Sequence, residues 1–114
     1  MPITPQFYER FSQLAWPQQI GNLASTLGHI ATRATAPQSE ALVSRWLREA
    51  AVLIEMSAQH VPPALLLELA PLQRELLAWH ALWPEQASHE FLALQARHTS
   101  DRLLRAAGLA QATL

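Results

Sequence analysis

Residues 65–83 read LLLELAPLQRELLAWHALW. Within them Leu65, Leu69, Leu72, Leu76, Trp79 and Trp83 recur at spacings of 4, 3, 4, 3 and 4 residues. An α-helix, at about 3.6 residues per turn, stacks such a series on one face; a strand scatters it over both. Pro71 lies inside the series, yet the phase is the same on both sides of it. The stretch therefore reads as one helix over 63–83, kinked at Pro71 at a local cost of about 3 kcal/mol. A short turn over 63–70 followed by a helix from Pro71 is the alternative.

The same period organises the rest of the chain, and prolines punctuate it. Thr4 and Pro5 have the form of a helix cap and first residue. Phe7, Phe11 and Leu14 follow at helical spacing, then Trp16, Ile20, Leu23, Leu27, Ile30 and Ala34. At about 100° per residue these two stripes lie about 180° apart on one cylinder, and the jump falls at Trp16-Pro17. The first helix is thus expected over 5–34 with a kink or break at 16–17. Val43, Leu47, Ala50 and Ile54 form the inner row of a helix over 38–59, widened by Leu42, Trp46 and Leu53. Arg45, Arg48, Glu55 and Gln59 take its polar side. Phe91, Leu94 and His98 form one row, and Leu92, Ala96, Thr99, Leu103 and Ala106 another, on a helix over 85–107. Gly108 and Leu109 suit a Schellman stop, and residues 110–114 are expected to fray. The fold class is all-α, an antiparallel up-down four-helix bundle whose first helix is kinked or broken near Pro17.

Trp16-Pro17-Gln18-Gln19 and Trp83-Pro84-Glu85-Gln86 are two Trp-Pro-x-Gln tetrapeptides. Little else aligns around them, so a duplication does not account for them. Helix starts do: proline suits the first position, and Gln19 and Gln86 then reach back to the cap. Gly21, Ser25, Gly28 and Thr32 make a small-residue seam on the first helix. It suits close helix packing, with a dimer contact as the second reading.

Composition narrows the function classes. The 114 residues make one domain, half of them apolar and 15% charged, with a formal charge of −1. All eight cations are arginine and no basic stripe forms, so nucleic acid is not an expected partner. There is no cysteine, hence no disulfide, thiolate chemistry or cysteine-based zinc site. No segment has the uninterrupted apolar length of a membrane span, and no signal peptide is recognisable, which makes cytoplasmic the default location. The sparse charge hints at self-association.

Catalytic constellations do not emerge. The five histidines lack Glu-x-x-His and His-Glu-x-x-His spacing, so no metal is expected. Arg74 and His80 match the loose Arg-x(4–6)-His pattern of HEPN ribonucleases, but within one helix their side chains diverge by about 120°. A single Asp, Asp101, and the absence of Gly-x-Ser-x-Gly disfavour a serine nucleophile. No catalytic residue and no cofactor is assigned.

WLREAAVLIEMSA (46–58) and PLQRELLAWHALWPEQ (71–86) resemble stretches in a group of small, uncharacterised helical proteins from cyanobacteria. The resemblance implies a helical fold and a bacterial host, and no activity. The leading expectation is a non-enzymatic interaction or adaptor protein that self-associates as a dimer. Its surface would be Phe7, Phe11 and Leu14, which point away from the core if the first helix runs straight. The alternative is a bundle holding a small apolar or planar ligand, such as a tetrapyrrole, near Trp79, His80 and Trp83.

Overall fold

The computed structural model describes residues 3–108. Among them all regular structure is helical: α1 (Pro5–Ser12), α2 (Trp16–Arg33), a 3₁₀ turn (Pro37–Ser39), α3 (Glu40–Ser57), α4 (Pro63–Leu82) and α5 (His89–Ala106). α2 packs against both α3 and α5, and α3 packs against α4. Ile20, Leu23, Leu27 and Ile30 of α2 meet Val43, Leu47 and Ile54 of α3 in the core, with Leu69 of α4 and Leu92 and Leu103 of α5.

The first long helix is two. Thr4 caps α1, its hydroxyl accepting from the Phe7 amide at 3.0 Å, with Pro5 in the first turn. The chain leaves α1 after Ser12 and re-enters helix at Trp16, with extended Ala15 as the cap. The separation thus falls at residues 13–15, ahead of the Trp-Pro pair rather than within it. Gln19 explains how the turn is held. Its side chain is buried and its Nε2 donates at 3.0 Å to the Phe11 carbonyl, which also accepts from the Leu14 amide in the turn. Gln19 therefore does not return to its own cap. Its Oε1 is buried with no hydrogen-bond partner.

The second tetrapeptide is not a helix start. Trp83 ends α4 in extended conformation, the Trp83-Pro84 peptide is cis, and the Gln86 amide donates to the Leu82 carbonyl at 2.9 Å. α5 begins at His89 behind Ser88, whose hydroxyl accepts from the Phe91 amide at 3.2 Å. A serine oxygen serves a helix cap as no tryptophan side chain can. Ser88→Ala is expected to lower the unfolding free energy by about 1 kcal/mol, read from urea denaturation.

α2 and α5 meet along the small-residue seam. A Cβ placed on Gly28 would lie 3.7 Å from Arg97 Nη1 and 3.8 Å from Ser100 Oγ. Ser100 Oγ donates to the Ala24 carbonyl at 2.7 Å, and Arg97 Nη2 to the Gly28 carbonyl at 3.4 Å and Thr32 Oγ1 at 3.3 Å. Ser25 and Thr32, at the seam's edge, are exposed. α4 runs without interruption through Pro71. Gln73 Nε2 fastens it to the Ala51 carbonyl of α3 at 3.0 Å. After α5, Gly108 takes φ 72° and its amide donates to the Arg105 carbonyl at 3.0 Å. Leu109 and the tail 110–114 lie outside the described residues.

Candidate functional site

The turn at 13–15 changes what becomes of Phe7, Phe11 and Leu14. Because α1 doubles back, Phe11 enters the core, 1% exposed, and Phe7 stacks on it with ring centroids 5.6 Å apart. Leu14 remains exposed in the turn. The three do not form one outward face. The opposed stripes are reconciled inside the chain by a bend at 13–15.

Trp79, His80 and Trp83 do not surround one cavity. Trp83 is buried as a corner post: its Nε1 donates to the Glu40 carbonyl at the start of α3, 2.9 Å away. Its ring stacks on His89 at 4.1 Å, and His89 Nε2 lies 2.9 Å from the Pro84 carbonyl. A carbonyl only accepts, so His89 carries its proton on Nε2. Trp79 is half-buried with its ring 5.9 Å from Phe91. It lines a cleft with Leu27, Ile30, Leu76 and Leu92, but that cleft holds only about 10 Å³, and neither His80 nor Trp83 lines it. This is room for about one water. A planar cofactor needs several hundred Å³, so it would have to part α4 from α5.

A second cleft, of about 130 Å³, opens between the start of α1, α2 and α3. His29, Trp46, Asn22, Thr26 and Glu49 line it, below Ile3 and Phe7. Most of its polar groups already serve their own helices. Asn22 Nδ2 donates to the Gln18 carbonyl, Thr26 Oγ1 to the Asn22 carbonyl, and Glu49 pairs with Arg45 at 3.7 Å. Among the described residues no three His, Asp or Glu side chains gather as metal ligands would, and no helix is long and apolar enough to cross a membrane.

The feature that stands out is the outer side of α4. In 20 residues it buries only Leu65, Leu69 and Leu76. Leu67 is 79% exposed, and Leu66, Leu77 and Leu82 lie between 38% and 46%. At about 100° per residue these leucines, with exposed Ala70, Ala78 and Ala81, fill an arc of about 160° opposite the buried stripe. Arg74 is the sole charged residue inside that arc; Glu68 and Glu75 stand at one edge. Glu68 pairs there with Arg102 of α5 at 3.0 Å. Phe91 and Leu94 of α5 are exposed as well, and Phe91 touches Trp79 of α4.

The helical row in 65–83 marks the buried side of α4, and the leucines off the row lie on the other side. Those leucines are nevertheless plain in the sequence: a helix with leucine on opposite sides ordinarily has both sides covered. This one is covered along a single stripe. No family model, curated protein or solved structure matches this chain.

Proposed function

We propose that this chain is a non-enzymatic interaction protein whose working surface is the outer face of α4. On this reading α2 to α5 form an antiparallel up-down four-helix scaffold that holds α4 at its edge. Bonds between distant positions support that arrangement: Ala24 with Ser100 and Gly28 with Arg97 for α2 and α5, Ala51 with Gln73 and Glu40 with Trp83 for α3 and α4. In each helix pair one position rises as the other falls.

The observation that carries the proposal is the arc of exposed leucine and alanine with one cation in it. Burying a leucine fully contributes about 1.5–3 kcal/mol, so the four leucines, whose exposed parts add up to about two whole side chains, hold on the order of 3–6 kcal/mol in reserve. Association costs roughly 4–15 kcal/mol in lost freedom, so this reserve suits a reversible contact that a partner's own apolar surface completes.

A photoreactive residue placed at Leu67 in the cell that makes the protein is expected to form protein adducts, while one placed at exposed Arg48 on α3 forms none. Equal labelling at both positions, or none at either, overturns the proposal. Leu67→Glu is expected to keep the unfolding free energy within about 0.5 kcal/mol of the parent, because the side chain packs on nothing in the fold. It should at the same time abolish retention on a phenyl column. A large loss of stability would mean that Leu67 belongs to the core.

A further inference from the structure

We propose that the occupant of the α4 face is a second copy of this chain, packed α4 on α4 in an antiparallel, two-fold pair. This rests on reading α4 as the interaction surface and adds the partner and its orientation.

The first argument is apolar surface. A polar partner would withdraw only this chain's leucines from water. A second copy brings the same leucines and doubles the surface removed. The 20 residues of α4 make a rod about 30 Å long. An arc of about 160° on a cylinder about 11 Å across is on the order of 450 Å² per copy, or about 900 Å² for the pair. That falls below about 1,200 Å², in the class of weak and transient interfaces, so the pair is a reversible one.

The second argument is charge. When the helices cross antiparallel at their midpoints, residues whose numbers sum to about 145 lie level. Leu67 then meets Leu77 and Ala78 of the second copy. Arg74 lies level with Ala70 and Pro71, small residues that let its guanidinium pass to Glu75 or Glu68 at the edge. In an antiparallel pair like edges face each other. One groove therefore collects Arg74, Glu75 and the Glu68–Arg102 pair from each copy, and the charges balance. A parallel pair sets Arg74 against Arg74 at the same height and sends the two carboxylate edges apart. A membrane surface fits less well: interfacial helices are flanked by Lys and Arg, whereas this face is edged by Glu68 and Glu75 on a chain with no lysine.

The chain contains no cysteine, so single introduced ones report unambiguously. Sedimentation equilibrium of the full chain from roughly 1 to 200 µM should show a monomer–dimer equilibrium that Leu67→Glu weakens at least tenfold. Under mild oxidation, Leu67→Cys mixed with Ala78→Cys should give the mixed disulfide in excess over either homodimer. A monomer across the whole range overturns the proposal, and so does each variant linking chiefly to itself. So too does flotation of a monomer with anionic vesicles. If photoadducts at residue 67 contain only other proteins and the purified chain stays monomeric, the α4 surface stands and the second copy falls.

Discussion

Phe11→Ala is expected to lower the unfolding free energy by about 3–5 kcal/mol, the cost of deleting a fully buried aromatic ring together with the cavity it leaves. Single domains carry about 5–15 kcal/mol in total, so the variant should stand close to its unfolding threshold. Phe11 is 1% exposed and is the one buried residue of α1. The ring no longer stacks on Phe7, and α1 loses its one buried side chain. The carbonyl that Gln19 Nε2 holds is backbone and is retained, so the loss is one of packing. Urea denaturation followed by circular dichroism measures the effect. Phe7→Ala, at a half-buried ring, should cost less than half as much. A loss below about 1 kcal/mol for Phe11→Ala would place Phe11 outside the core and return α1 to the role of an outward arm.

What the chain discloses by itself and what it withholds divides along the range of the interactions. The spacing of Leu65, Leu69, Leu72, Leu76, Trp79 and Trp83 needs only the helical period, and it marks the side of α4 that turns inward. Thr4 before Pro5 is a local device, and the Phe7 amide does bond its hydroxyl. The misread features depend on distant partners. The Trp-Pro pair at 16–17 looks like the break, yet the bend sits at 13–15, where a buried glutamine from the next helix holds the Phe11 carbonyl. Trp83-Pro84 looks like a helix start. The indole, however, is tied to Glu40, 43 positions away, and Ser88 is the oxygen that starts α5. The candidate surface falls between these cases. Every leucine on it is visible in the sequence, but only packing decides that one stripe of α4 is covered and the other is not.

Pro71→Ala is expected to stabilise the monomer by about 2 kcal/mol, an unusual sign for a single change. Proline in a helix interior costs about 3 kcal/mol relative to alanine, through the missing amide and the clash of its ring with the carbonyl four residues earlier. Here that carbonyl belongs to Leu67, on the exposed side, where water serves it and trims the cost. Proline also restrains the unfolded chain, which returns about 0.4–1 kcal/mol that alanine gives up. The difference favours alanine, and a Tm rise of roughly 8 °C should follow for a domain of this size. Pro71 is exposed and α4 is continuous across it, so nothing in the monomer opposes the change. The paired form is different, because Pro71 would lie close to the two-fold axis and meet Arg74 of the second copy. The gain should therefore be full in dilute protein or in the Leu67→Glu background, and smaller at concentrations where the dimer dominates. An equal gain at every concentration would separate Pro71 from the interface. A loss of stability in dilute protein would mean that α4 breaks at Pro71 and that the leucines on its two sides do not share one face.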